Sequence, residues 1–165
     1  MSVMQFAKEA GARVIGMDII GEKLQFCRDH FHIDYTVDGR GDAVAEVGSI
    51  TNGEYLSLVF DATGNAKSMM NAINYVAHGG RLVLLSIVKE NISYYDPDFH
   101  RREMSLVSSR NATREDMEHA VRSIGDGKVD ALSMITHRAP FHQVIEAFES
   151  WRKPETGVIK AVVEL

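Results

Sequence analysis

Cysteine is almost absent from this sequence, and its scarcity excludes two kinds of structure. The 165 residues include a single cysteine, Cys27, so an internal disulfide and a cysteine-rich zinc site are both impossible. We therefore expect a reducing, cytoplasmic setting. Seven histidines are present, but none stands in an H-E-x-x-H arrangement or a similar ligand spacing. We expect no metal site within this chain.

Basic patches and long apolar runs are also missing. The formal net charge is -5, and the densest basic pair is Arg101 and Arg102, whereas nucleic-acid binders usually carry a basic face. The longest apolar stretch, residues 82–88, is far shorter than the ~20 residues of a membrane span. Lys8 and Glu9 near the N-terminus argue against a secretory signal. We therefore expect neither nucleic acid nor a membrane among the partners.

The sequence does contain a regular alternation of helix-like and strand-like segments. Short apolar runs, typical of strands buried on both faces, alternate with segments that have apolar residues at helical spacing. Predicted helices cover residues 1–10, 22–32, 43–50, 66–76, 114–124 and 141–151. Predicted strands cover residues 13–18, 34–37, 56–61, 82–88, 104–107 and 158–165. This alternation predicts an α/β fold with a parallel sheet.

Turn and cap residues mark several boundaries. The pair Gly79-Gly80 is predicted to end the helix over 66–76, and Asp96-Pro97 is predicted to form a turn. Thr113, with Asp116 three residues later, predicts a capped helix start.

The order of elements differs from that of a complete dinucleotide-binding domain, which starts with a strand and a glycine-rich turn. This chain starts with a helix, and no G-x-G-x-x-G occurs in it. An acidic residue is expected about 20 residues beyond those glycines, and counting back that far from Asp18 reaches Met1. We predict a Rossmann-like doubly wound parallel sheet that lacks the first strand and glycine-rich turn. A hydrophobic slot should then open between the neighbouring strands, and we expect the chain to be destabilised, oligomerised or conformationally adjusted at its N-terminus.

Asp18 and Lys23 are the first candidate cofactor-binding residues. Asp18 closes a predicted strand, and a carboxylate there can accept hydrogen bonds from both hydroxyls of an adenosine ribose. It would also repel a 2′-phosphate, which favours NAD over NADP. Lys23 lies about one helical turn into the next helix and could border the same ribose. The alternative is that both are ordinary surface groups in solvent.

Other candidates follow the later strands, because an open α/β sheet binds ligands at the carboxyl ends of its strands. After the strand over 56–61, small residues let a flat ligand lie against the backbone; the alternative is an ordinary turn capped by Asn65. Arg110 can meet a phosphate or carboxylate, or it can pair with Glu115 or Asp116. The candidates at these strand ends are Asp61, Thr63, Gly64, Ser86, Ile87, Ser109 and Arg110.

Several segments together resemble the zinc-containing medium-chain alcohol dehydrogenases, and within them the sorbitol, threonine and sugar-acid dehydrogenases. They are AKEAGARVIGMD, VFDATGN, LVLLSIV, FHRREMSLVSSRNATRED, ITHRAPF and GVIKAVVEL. The resemblance covers essentially the whole chain, and residues 99–113 are its most specific part.

The resemblance implies a function: the NAD-binding part of a zinc-dependent alcohol, polyol or sugar-acid dehydrogenase. Zinc would polarise the alcohol while hydride passes to the nicotinamide. The position of Asp18 would bind the adenosine ribose, and Thr63 and Gly64 would line the cleft. The turns at 86–87 and 109–110 would reach toward the nicotinamide. The family's zinc ligands lie in an N-terminal half that this chain lacks, so we expect it to be inactive alone.

The resemblance also implies a division of the chain and a homodimer. Residues 1–136 would form the N-terminally truncated cofactor-binding domain, and residues 137–165 would be the segment that returns to the catalytic domain. Strands after the nicotinamide turn pair across subunits in the family, which would bring Ile92, Tyr94 and Tyr95 near an interface. Ser86 and Ser108 depart from the family's usual glycines and add bulk near the cleft.

Two alternative functions stay open. Methyltransferases also hold a ribose with an acidic residue after the second strand, so an S-adenosylmethionine-binding domain is one. A non-catalytic dimerising fragment is the other.

Overall fold

The computed structural model describes all 165 residues and shows helices and strands alternating along the chain. The helices are α1 (Ser2–Glu9), α2 (Gly21–Phe31), α3 (Ala43–Ile50), α4 (Ala66–Asn71), α5 (Asp96–Arg101), α6 (Arg114–Gly125) and α7 (Val144–Trp151). The strands are β1 (Ile15–Asp18), β2 (Tyr35–Asp38), β3 (Leu56–Asp61), β4 (Val76–Leu84), β5 (Ser105–Ser108), β6 (Ile135–Pro140) and β7 (Lys160–Glu164). None of the helices is long and apolar enough to span a membrane.

All paired strands are parallel, and they form three separate sheets. Two strands pair in the order β1-β2, three in the order β3-β4-β5, and two in the order β6-β7. In the doubly wound order, the first strand lies between the second and the fourth. The break between β1 and β3 falls at that place. The prediction of a Rossmann-like parallel sheet without its first strand is confirmed.

One cluster of apolar side chains joins the β1-β2 sheet to the β3-β4-β5 sheet despite the break. Val37 of β2 and Val47 of α3 are fully buried, and Tyr75, beyond α4, packs with them. Met17 of β1 and Val59 of β3 pack against the same cluster. Each such buried side chain stabilises the fold by roughly 1.5–3 kcal/mol relative to its exposed state. The cluster therefore connects the two sheets where no backbone hydrogen bonds do.

The glycine pair before residue 82 forms a bulge inside a strand, so the prediction that it ends a helix is wrong. β4 begins at Val76 and ends at Leu84, and its register against β3 shifts across this stretch. Gly79 has a φ of +66°. A Cβ on Gly80 would lie 2.8 Å from the Val76 side chain. Residues 85–88 consequently lie beyond the strand rather than at its end.

Two other predictions need correction. The Asp96-Pro97 pair starts α5 rather than forming a turn, because proline suits the first helical turn and two aspartates there complement the helix dipole. β6 was not predicted, since its polar residues gave no apolar run. The proposed boundary between residues 136 and 137 lies inside β6, and that division of the chain stays a prediction.

Candidate nucleotide-binding site

Asp18 is held at the end of β1 with part of its carboxylate unused. Its backbone carbonyl accepts a hydrogen bond of 3.0 Å from the Gly39 amide, which places the loop after β2 beside it. Its Oδ1 accepts a 3.0 Å bond from the Ile20 amide. Nothing in the chain donates to Oδ2, so this oxygen can accept a bond from a ligand hydroxyl.

An open groove of about 290 Å³ lies beside Asp18. Lys23, the first two residues of the chain, Met134 and residues 158–160 also line it. The structure therefore brings Asp18 and Lys23 together, as the sequence suggested. The groove also runs past the start of α1, where unpaired amides and the helix dipole favour negative charge. A carboxylate with an unused oxygen and a positive environment thus share one groove.

Asp61 is only 4% exposed and organises the turn that follows β3. Its Oδ1 accepts hydrogen bonds from the Thr63 amide at 3.0 Å and the Thr63 hydroxyl at 2.9 Å. Its Oδ2 accepts a 2.7 Å bond from the Ser68 hydroxyl of α4. Both oxygens are therefore used inside the turn. Asp61 fixes Thr63 and Gly64, which are exposed.

The ends of β3, β4 and β5 are tied together by three hydrogen bonds. The Leu85 amide donates to the Asp61 carbonyl at 2.9 Å, and the Ser109 amide donates to the Leu84 carbonyl at 3.0 Å. The Gly64 amide donates to the Ser86 hydroxyl at 2.8 Å. Thr63, Gly64, Ser86 and Ser109 consequently lie along one carboxyl edge. The Ser86 hydroxyl, which a glycine at this position would lack, thus accepts a bond from the turn after β3.

Ile87 and Arg110 project from the same edge into solvent. Ile87 is 75% exposed. Arg110 is exposed and forms no ion pair. The proposed alternative, a pair with Glu115 or Asp116, is not formed, because Asp116 accepts bonds from Thr113 in the predicted helix cap. Those bonds lower the pKa of Asp116. The Arg110 guanidinium is available to an external anion.

A charged pair beside Asp18, formed by Asp38 and Arg40, was not predicted from the sequence. Asp38, the last residue of β2, is directly opposite Asp18 in the parallel register. Its carboxylate accepts hydrogen bonds from the Arg40 guanidinium and amide, which lower the pKa of Asp38 to about 2. The signal available in the sequence was a second short strand that also ends in aspartate.

Tyr94, which the resemblance would bring near a dimer interface, is partly buried within the chain. Its ring packs against the apolar cluster around Val76 and Leu82, and its hydroxyl is buried without a partner. Burial, together with the nearby Asp61 charge, raises the pKa of Tyr94. Residues 91–95 form no strand.

The chain offers no donor set for zinc. Its His, Cys, Asp and Glu side chains form no group of three or more that could hold a metal ion, whereas catalytic zinc usually takes three protein ligands. These residues therefore do not fit a zinc site.

Known proteins with similar sequences are dehydrogenases. L-galactonate-5-dehydrogenase of Escherichia coli K12 is 32% identical over 157 residues, which cover 95% of this chain and 46% of that protein. D-xylulose reductase of Scheffersomyces stipitis is 26% identical, with coverage of 96% and 46%. This chain spans about half the length of the curated relatives it matches.

Solved structures confirm the fold, and a family model shows to which family the chain belongs. An Escherichia coli oxidoreductase of unknown specificity superposes with a TM-score of 0.91 at 21% identity, over 98% of this chain and 46% of that one. An alcohol dehydrogenase from E. coli CFT073, complexed with NADH, gives 0.87 at 19% identity over 99% and 48%. Residues 1–126 match the model described as zinc-binding dehydrogenase. The chain therefore belongs to the zinc-binding dehydrogenase family.

Proposed function

We propose that this chain binds NAD and serves as the cofactor-binding part of an alcohol, polyol or sugar-acid dehydrogenase. The observation that carries the proposal is the unused Asp18 carboxylate oxygen at the end of β1, in a groove shared with Lys23. A carboxylate at this point of a doubly wound fold accepts ribose hydroxyls and disfavours a 2′-phosphate. Adjacent positive groups and the start of α1 suit the pyrophosphate.

The candidate residues at the end of β1 and those after β3, β4 and β5 would hold successive parts of one cofactor. Asp18 and Lys23 would hold the adenosine half. Thr63 and Gly64 would line the middle of the cleft, in the turn that Asp61 fixes. Ser86, Ile87, Ser109 and Arg110 would border the nicotinamide end. The bound cofactor would supply hydride transfer, while this chain's residues bind and orient it.

Titration of the purified chain with NADH and NADPH, followed by calorimetry, tests the proposal. We expect NADH to bind and NADPH to bind much more weakly. Asp18→Asn should weaken NADH binding about tenfold, as loss of a charge-assisted hydrogen bond does. Asp29→Asn, which removes an exposed carboxylate of α2, should leave binding unchanged. Binding of S-adenosylmethionine without NADH binding would support the methyltransferase-like alternative instead.

The proposed substrate class rests on the relatives, and the chain alone should not turn it over. The similar proteins are named for L-galactonate and D-xylulose, a sugar acid and a sugar. No zinc donor set is present to polarise an alcohol. We expect no oxidation of L-galactonate by the isolated chain with NAD and zinc. Zinc-dependent turnover would contradict this part of the proposal.

The outer edge of β5 favours the proposed homodimer. β5 pairs only with β4, and its Leu106 and Val107 are each about 40% exposed. An unpaired apolar edge is a ready template for another strand, and a two-fold axis would pair two copies of β5. Sedimentation should show a dimer that Leu106→Lys dissociates. A monomeric wild-type chain would exclude this pairing.

A further inference from the structure

We propose that Asp38 determines nucleotide selectivity by holding Arg40 away from the ribose site. The inference rests on the proposed function and adds a second selectivity residue to Asp18. Its consequence is that removal of Asp38 should release an arginine that can accept a 2′-phosphate.

The geometry places Arg40 beside the site that Asp18 forms. Asp18 and Asp38 are opposite each other on adjacent parallel strands, which are about 4.8 Å apart. The Gly39 amide donates to the Asp18 carbonyl at 3.0 Å. A Cβ built on Gly39 would lie 3.4 Å from the Ile19 side chain. The residue before Arg40 is thus packed directly against the loop that begins at Asp18.

Asp38 engages the Arg40 side chain with both carboxylate oxygens. Arg40 Nε lies 2.9 Å from Oδ1 and 3.1 Å from Oδ2, and Nη2 lies 2.6 Å from Oδ2. The Arg40 amide adds a 2.9 Å bond to Oδ1. The planar guanidinium fork that suits a phosphate equally suits this carboxylate. While the pair is formed, Asp38 occupies the Nε and Nη2 donors of the guanidinium and turns this edge of it away from a phosphate.

Arg40 is accessible once it is released. Its side chain is 66% exposed, so no packing holds it in place. Glu22, in the first turn of α2, is the other acidic group whose charge acts on Arg40, but it forms no ion pair with it. An arginine close to the ribose is the feature that accommodates a 2′-phosphate in NADP-binding domains. Loss of Asp38 would therefore add an attraction for a 2′-phosphate to a site where Asp18 still repels one.

The test compares NADH with NADPH, and 5′-AMP with adenosine 2′,5′-bisphosphate, on the wild type and three variants by calorimetry. Asp38→Ala should raise the affinity for the 2′-phosphorylated ligand, relative to its partner, about tenfold. Asp38→Ala with Arg40→Ala should return this ratio to within about twofold of wild type. Asp29→Ala removes the same charge without contacting Arg40 and should not change the ratio. Circular dichroism verifies that each variant is folded.

The outcomes separate this inference from the proposed function. The role of Asp38 is overturned if Asp38→Ala leaves the relative affinity for the 2′-phosphorylated ligand unchanged. It is also overturned if the gain in that relative affinity persists when Arg40 is removed as well. In either case, NADH binding by the wild type would still support the proposed function. Absence of binding by the wild type to all four ligands overturns both.

Discussion

The β1-β2 sheet and the β3-β4-β5 sheet are both parallel, but they are stabilised in different ways. In the larger sheet, β4 is paired on both sides, and Val76 and Leu82 are buried on it. In the smaller sheet, each strand has one neighbour, and two-stranded sheets alone are marginally stable. The candidate cofactor site uses the carboxyl ends of both sheets. The half of the site at the end of the β3-β4-β5 sheet should therefore be more rigid than the half at the end of the β1-β2 sheet.

Polar links replace part of the missing sheet pairing around β1. The Asp34 carboxylate accepts a 2.8 Å bond from the Val14 amide and lies 3.3 Å from the Lys8 amine of α1. Glu9 of α1 accepts a 2.8 Å bond from Ser123 of α6. These contacts tie α1 to β1 and to a distant helix. The N-terminal part also has an apolar cluster around Cys27, Phe31 and Ile33. The two sheets therefore differ in strand pairing rather than in apolar burial, and polar contacts add to the β1-β2 side.

The largest expected effect is the loss of a core side chain from the larger sheet. Leu82 is 2% exposed, and truncation of such a leucine costs about 3 kcal/mol of unfolding free energy. We expect Leu82→Ala to lower the urea midpoint accordingly. Leu58→Ala, at a position of β3 that is 47% exposed, should cost less than about 1 kcal/mol. Equal costs would show that β4 is not the core strand.

Asp61→Ala should have the second largest effect, because it leaves the Thr63 and Ser68 donors without their acceptor. We expect a loss of about 2 kcal/mol in unfolding free energy, together with weaker NADH binding because the turn at Gly64 loosens. Ser68→Ala removes one of the three bonds and should cost about half as much. If the two variants were equally stable, the Asp61 carboxylate would not organise the turn.

Asp34→Ala should act mainly on the smaller sheet. It removes the acceptor of the Val14 amide and the partner of Lys8, which we expect to cost about 1 kcal/mol. Native-state hydrogen exchange should show faster exchange in β1 and β2 and little change in β4. Uniform acceleration across both sheets would contradict the separate stabilisation of the two.

The smallest effect is a change of stability in acid. The pKa values of Asp34, Asp38 and Asp130 lie below 3.8, their ordinary value, and that of Asp38 is about 2. Their folded pKa values are lower than their unfolded ones, so the stability they contribute is present above pH ~4. It is lost as the pH falls toward 2. Urea midpoints should decline over this range, and less steeply in Asp34→Asn.

The ends of β1 and β3 could be predicted from the sequence, whereas the end of β4 and the side-chain contacts between neighbouring strands could not. Asp18 and Asp61 were recognised because each closes a short apolar run, and parallel strands share one carboxyl edge. The position of the Asp38–Arg40 pair beside Asp18 depends on the register of β1 against β2, which periodicity does not give. The bond from Gly64 to Ser86 likewise depends on how two turns meet. β6 was missed because a strand in a small polar sheet has no apolar run.

On the proposed function, one NADH molecule would contact the carboxyl ends of both the β1-β2 and the β3-β4-β5 sheet. Hydrogen exchange with and without saturating NADH tests it directly, read at the amides near Asp18 and Gly39 and at those of Thr63 and Gly64. We expect NADH to slow exchange at both groups of amides together, with the larger gain in protection in the β1-β2 sheet. Protection at only one group, or at neither, would contradict it.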